Sequence, residues 1–376
     1  MESVLPVTQG LFGGGDMTSV LLNIVWMVLF FAVIITFNQR LQLYSYQRNV
    51  EKAVVRLEEL ASKSKEDAIN SIKTFAPEGI DLRGNVSGFL EFFTIEPVSL
   101  DPFGVLKRLE HLLDIRRSRS VEFVSQVAPK ATKTEKENIE VILEAATAVN
   151  YIYKVVRHFL LLGKKTKSLM IFVQLDMQLP MIMKQAEAYY NAQTTFAAGK
   201  PIGDGLGPLV ASKLIFGLPQ KRIAEDIVYS EVEIEKRKVI VLKAEGPGGV
   251  VGKPGEAVKE LVDGLEGKVS RIIMIDAASK LEGENTGEVV EGVGAAIGDP
   301  GPEKYKIEEV AVKYRIPIDA IVCKMGLEEA LTTIKKEIVE ASDVIVERVK
   351  KIIAERTKEG DTVIVAGIGN TMGVGQ

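Results

Sequence analysis

The sequence predicts an α/β protein with three parts: an N-terminal transmembrane helix, a helical middle region, and a C-terminal, mostly parallel sheet with helices on both faces. Three observations predict it. Residues 17–37, MTSVLLNIVWMVLFFAVIITF, carry no charge. Residues 47–74 and 102–198 keep apolar side chains at helical spacing. From Lys200 onward glycine is frequent, and β-branched runs alternate with helical stretches, the pattern of a parallel sheet covered on both faces. The implied division is a short extracytoplasmic tail (1–16), the transmembrane helix (17–37), a helical stalk (38–76), a helical domain (77–199) and an α/β domain of phosphorylase or hydrolase type (200–376). With 376 residues, 46% hydrophobic and 26% charged, the chain can bury a sizeable core. A net charge of -4 and the lack of a basic stripe with interleaved aromatics exclude a nucleic-acid partner. One cysteine, Cys323, excludes a disulfide framework and a cysteine metal site. The two histidines, His111 and His158, lie in helical stretches far from any glycine loop, which argues against zinc.

As a helix, residues 17–37 would run roughly 31 Å, about a hydrocarbon core. The preceding segment contains Glu2 and Asp16 and no Lys or Arg, unlike a signal peptide. Arg40, Arg48, Lys52 and Arg56 follow it, so a single pass leaves the remainder in the cytoplasm of a cell-membrane protein.

Beyond the membrane, Val50, Val54, Leu57 and Leu60 recur at a helical period among charged residues and predict the stalk. A lone stalk would expose that stripe, which predicts self-association into a homo-oligomer. Pro77, Gly79, Gly84 and Gly88 mark a break. The helices that follow have start signals: Asp101 as cap before Pro102, and Thr134 as cap with Glu137 three residues on. Residues 169–183, LMIFVQLDMQLPMIM, are too short for a second span and contain Asp176 and Pro180. They predict a helix buried in a helical layer, with the methionines as soft packing.

In the last part, KVIVLKAEGPGGVVGKPGEAVKELVDGL reads as strand, glycine loop and helix. SRIIMIDAA is a strand ending at Asp276, IDAIVCKMG another, residues 327–358 a long helix, and DTVIVAGIGN a last strand. Ligands of such sheets sit at the carboxyl ends of the strands, so the glycine loops and Asp276 converge on one rim. The loop GPGGVVGKPG fails the Walker pattern: Pro247 stands where the first glycine belongs, and Pro254 follows Lys253. Gly246, Gly248 and Gly252 give GxGxxxG rather than GxGxxG, with Gly249 between them. A nucleotide site, with Asp276 on a ribose, and a tight turn without a ligand both remain open.

Gly367 and Gly369 follow the last strand as an active-site loop would, yet no helix follows them. PIGDGLGPLVASKL, from Pro201, has Asp204, Gly205, Gly207 and a helix opened by Pro208, with no strand before it. Joined, the two give VIVAGIGN … GDGLGPLVASKL. That order, with Ile275-Asp276-Ala277 later, resembles hydrogenase-maturation endopeptidases and spore germination proteases, a Rossmann-like fold, here circularly permuted. The chain as a whole resembles an archaeal membrane-protein family known as domain of unknown function 1512, through GPGGVVGKPG, IDAASKLEGENTGEVVEGVGAAIGDPGPEKYKIEE and GIGNTMGVGQ. That family brings no assigned activity. The permutation predicts that residues 362–366 lie inside the sheet, and that their loop meets the helix after Asp204.

The protease resemblance implies that Asp204 and Asp276 cleave peptides, one carboxyl held protonated as acid while the other activates water. In the hydrogenase-type enzymes the matching acids hold a metal together with a histidine, and no histidine follows His158 here. Glu282 or Glu284 would suit a hard ion instead. Asn370 is placed to orient a carbonyl or a water. The plainer readings are a helix cap for Asp204 and a strand-end turn residue for Asp276. The sequence therefore leads to a membrane-anchored, aspartate-dependent peptidase or hydrolase with a protein or peptide substrate, its cofactors and metal unassigned. The alternative is a tethered sensor or scaffold whose glycines bind a nucleotide or another anion without catalysis.

Overall fold

The computed structural model describes residues 17–93, 104–298 and 301–375. The expected tail 1–16 and the Asp101–Pro102 helix start lie outside them. Helix α1 (Met17–Lys73) is continuous. Among the described residues it is the one helix long and apolar enough to cross a membrane. Leu22, Trp26, Phe30 and Phe37 are each more than 60% exposed along it.

The helical middle comprises α2 (Leu82–Leu90), α3 (Val105–Val127), α4 (Lys133–Thr166) and α5 (Leu169–Ala197). The break after α1 is real, but Gly84 and Gly88 lie inside α2, whose start Asp81 caps by accepting the Gly84 N–H at 2.9 Å. At α4 the capping box sits two residues earlier than the sequence suggests. Thr132 N–H donates to Glu135 Oε2 at 2.7 Å, and Glu135 N–H donates back to Thr132 Oγ1 at 3.3 Å. In α5 the expected buried methionines are corrected. Phe172, Leu175 and Leu179 are buried, whereas Met170, Met177 and Met181 are more than 60% exposed. The spacing explains it: 172, 175 and 179 share one helical face, and the methionines fall on the other.

The stalk stripe is also corrected. Val50, Val54, Leu57 and Leu60 are all buried within this one chain, so the stripe gives no drive to self-associate.

The chain forms two compact units. One contains Met1–Arg56 with Lys154–Met181; there Lys164 pairs with Glu51 at 2.7 Å, and the Phe172 ring fills the space beside Gly163. The other contains Leu57–Tyr153 with Ile182–Gln376 and holds the sheet.

Within this second unit a 3-10 turn (Gly203–Gly205) leads into α6 (Leu206–Leu214). Then come β1 (Lys221–Ala224), β2 (Ile227–Ile234), β3 (Arg237–Ala244), α7 (Pro254–Gly264), β4 (Arg271–Ser279), β5 (Val289–Val293), α8 (Pro302–Tyr314), β6 (Ile318–Met325), α9 (Leu327–Leu331), α10 (Lys336–Arg356) and β7 (Thr362–Gly367). The sheet order is β1-β2-β3-β7-β4-β6-β5. Its centre, β3-β7-β4-β6, is parallel, while β1, β2 and β5 pair antiparallel at the edges. The sheet is therefore mixed rather than mostly parallel. The long helix expected over 327–358 is split, because Thr333 pairs in a β-bridge with Ile202 and Ile334 N–H donates to Pro201 O.

Strand β7 lies between β3 and β4, with Val239 opposite Val363 and Ile272 opposite Ile364. Val363, Ile364, Val365 and Ala366 are fully buried. Four apolar residues in a row suit a strand covered on both faces. Alternate residues point to α6 and α10 on one side, and to α7 and α8 on the other. A third core joins α2, α3, α4 and α5 to Ile202 and Met372, locking the helical layer onto the sheet rim.

Candidate functional site: a carboxyl pair at the sheet rim and an adjoining cavity

The rim is assembled from the loop after β7, the turn before α6 and the end of β4. Ile368 N–H donates to Ile275 O at 2.8 Å, which lays the β7 loop across the end of β4. Asn370 N–H donates to Asp204 Oδ2 at 2.9 Å. The Asp204 side chain therefore holds the β7 loop and does not cap α6, whose N-cap residue Gly205 makes no side-chain bond. Asp276 is buried, and its carboxylate accepts from the N–H groups of Ala277 (2.7 Å) and Gly298.

Electrostatics couples the two acids. Burial and the nearby Asp204 charge push Asp276 up to about 8, against the two backbone donors. Burial also raises Asp204, opposed by the Asn370 N–H. Asp276 is thus protonated at neutral pH.

The expected ligand-binding glycines serve mainly to let the chain approach itself. A side chain at Gly207 would overlap the carbonyl oxygens of Ile368 and Ile275. One at Gly367 would strike Gly207 O, and one at Gly369, with φ +133°, would strike Asp204 O. Gly205 lies against Asn370 O and Gly246 against Val374 O. In the loop after β3, Gly248 is covered by the Glu137 side chain, and Gly249 N–H donates to Asn138 Oδ1 at 3.1 Å. Lys253 is ion-paired with Asp114 at 2.8 Å and Glu225 at 3.2 Å.

Glu284, offered as a metal ligand, pairs with Lys324 at 2.5 Å and accepts from Leu281 N–H; Glu282 is exposed. Asn370 Oδ1 accepts from Met372 N–H at 2.9 Å. His111 and His158 lie on α3 and α4. Glu284 is thus committed to a lysine, and neither histidine lies at the rim. Among the described residues one carboxylate triad could hold an ion, Glu110, Glu256 and Glu303. Lys306 Nζ already sits among its members, at 2.6, 3.5 and 2.8 Å respectively.

Beside the pair, a cavity of about 820 Å³ opens between α3, α4 and the rim, and Asn370, Gly249 and Gly252 line it. Asp204 and Asp276 do not line it. Sequence reasoning missed its other residues. Arg117 pairs with Asp226, and Lys133 with Glu245 at 2.9 Å. Burial, opposed by Arg117, pushes Glu140 up to about 7. The available signal was the row Glu137, Glu140, Glu144 on one face of α4, at i, i+3 and i+7.

A family described as "Protein of unknown function (DUF1512) N-terminal domain" matches residues 24–199, and its companion, "Domain of unknown function (DUF1512) C-terminal", matches residues 202–375. No curated protein matches the chain. Two matches that together run from the apolar helix to the β7 loop leave one conclusion: the chain belongs to the family of domain of unknown function 1512.

Proposed function

We propose that this protein is a membrane-anchored hydrolase that cuts peptide bonds with the Asp204–Asp276 pair. The observation that carries the reading is the coupling of two acids at the carboxyl end of the sheet, where burial, and after it the charge of Asp204, pushes Asp276 up to about 8. Protonated Asp276 is then the general acid. Asp204, which burial raises and the Asn370 N–H lowers in part, is the base. Water attacks the carbonyl carbon and gives its proton to Asp204, and Asp276 delivers its proton to the leaving nitrogen as the C–N bond breaks. The same residues carry the resemblance to spore germination proteases.

The α/β part is read as a Rossmann-like fold, circularly permuted. In support, β7 stands between β3 and β4, and its loop meets the N-terminus of α6. The apolar, exposed start of α1 is read as the membrane span, because such a surface suits lipid and not water. The basic residues after it favour a cytoplasmic sheet.

The test is a peptide library digested by the detergent-solubilised full chain and by D276N. The wild type should generate new peptide N-termini at a rate at least ~100-fold above the variant. Equal cleavage by both, or none by either across a proteome-derived library, would overturn the reading. A sensor without catalysis is the second reading, favoured by the 820 Å³ cavity beside the pair.

A further inference from the structure

We propose that strand β5 is a docking edge for a second copy of this chain, paired antiparallel to the same strand of its partner. The two edges of the sheet are built differently. At one, β1 has four residues, its register with β2 shifts between Arg222 and Ala224, and Lys221 and Arg222 are exposed. Shortness, a bulge and charge are the usual guards against the addition of a further strand. At the other edge, β5 runs Val289-Val290-Glu291-Gly292-Val293 in unbroken register with β6 and carries no lysine or proline. Val293 is exposed, and a side chain at Gly292 would meet nothing.

The ladder fixes which groups point outward. Gly294 N–H donates to Ile318 O at 3.0 Å, and Lys324 N–H donates to Glu288 O at 2.9 Å. Alternation between them turns the backbone groups of Val290 and Gly292 towards β6, and those of Val289, Glu291 and Val293 outward. Among the described residues nothing bonds to these outward groups.

A second copy fits because the strand is complementary to itself. Antiparallel pairing centred on Glu291 sets Val289 opposite Val293 of the partner subunit, and Val293 opposite Val289 of the partner subunit. That register satisfies every outward group of both strands. It also sets the two Glu291 side chains opposite each other, which unpaired like charges would oppose. Here Arg356 at 2.9 Å and Arg348 at 3.7 Å flank Glu291. Asp319, the other acid of this cluster, takes Arg271 at 2.6 Å and Arg356 at 3.1 Å. Three guanidiniums thus serve two carboxylates, and the loosely held, half-exposed Arg348 can also serve Glu291 of the partner subunit. Val312, 78% exposed, lines one cleft with Val293 and widens the apolar surface at this edge. Glu308 and Arg315 in that cleft carry one charge of each sign, so it does not repel a copy of itself. This surface is separate from the stalk stripe, and the inference stands whether or not the Asp204–Asp276 pair cuts peptides.

The experiment is sedimentation velocity of the detergent-solubilised full chain over a wide concentration range, joined to disulfide trapping with copper phenanthroline. The wild type should pass from monomer to dimer as concentration rises. V293K puts a guarding lysine on the edge, and V293P removes one outward N–H without touching a β6 bond. Each should weaken the dimer by about tenfold or more while circular dichroism stays that of the wild type. Position 291 lies on the two-fold axis, so E291C should trap a disulfide dimer. V293C should not, since its two copies would stand about 14 Å apart along the strands. The wild type, whose one cysteine, Cys323, is buried, should trap none. V293K and E291C keep the test valid if V293P fails to fold. A monomer at every concentration, a dimer that V293K leaves unchanged, or trapping of V293C in place of E291C would overturn the proposal.

Discussion

Replacing Asp276 by asparagine tests the electrostatics of the rim without needing a substrate. In an open chain this carboxyl titrates near 3.8, and in the fold it is pushed to about 8. The sign follows from proton counting. Between these values the unfolded chain has lost the proton and the folded one keeps it, so stability falls as pH rises through the window. Each pH unit in which the two states differ by one proton costs ~1.4 kcal/mol. From pH 5 to pH 8 this one group can therefore remove up to about 4 kcal/mol, and water entering the rim would reduce that to about half. D276N cannot ionise. It keeps an oxygen for the Ala277 N–H. The assay is thermal and urea unfolding of the detergent-solubilised full chain at pH 5, 6, 7 and 8. The wild type should lose stability steadily across the series, and D276N should lose about 2–4 kcal/mol less. Because Asp204 is raised as well, D204N/D276N should be flatter still. Parallel profiles for wild type and D276N would refute the claim that Asp276 is protonated in the fold, and with it the acid assigned to the hydrolase.

Two further outcomes are expected. G207A adds a carbon where the Ile368 and Ile275 carbonyl oxygens approach, so it should cost about 1–3 kcal/mol or more and loosen the β7 loop, seen as faster amide exchange at Ile368 and Asn370. If the N-terminal helix spans the membrane with the sheet in the cytoplasm, protease added outside sealed right-side-out vesicles should spare the sheet domain, and its digestion there would reverse the orientation.

Strand β7 was legible because four consecutive apolar residues, Val363 to Ala366, have no stable place except a strand buried on both faces. The edges were not. Strands β2 and β3 are joined through Glu235 and Lys236, both at positive φ (51° and 58°), a turn usually marked by Asn-Gly and here made by two charged residues. Strand β5 is short and half exposed, with Val293 at 89%, so it lacks the alternation that announces a strand. At the site, Asp204 and Asp276 could be named from their motifs, since each follows a recognisable turn or strand. The cavity could not be named that way. It joins Ser120 and Glu140, on α3 and α4, to a loop more than a hundred residues later.

The glycines carry the most general lesson of this fold. Gly367, Gly369, Gly205 and Gly207 were read as a cradle for a ligand, since backbone without side chains admits close approach. The close approach is present, but between two segments of the same chain: the loop after β7 and the turn into α6. This follows from where those segments sit in the sequence. In an unbroken strand-loop-helix unit the short connection itself holds strand end and helix start together. Here the two lie 166 residues apart at Asn370 and Asp204, and no covalent link positions them. Backbone contact at the glycines, the hydrogen bond from Asn370 N–H to Asp204 and the burial of β7 must supply that positioning instead. The hydrogen bond that aligns Asp204 therefore has two roles at once, closing the fold and biasing the charge of a candidate catalytic group. Replacing Asp204 should in consequence disturb stability and any activity together, whereas Asp276, held on a continuous central strand, should allow the two to be separated.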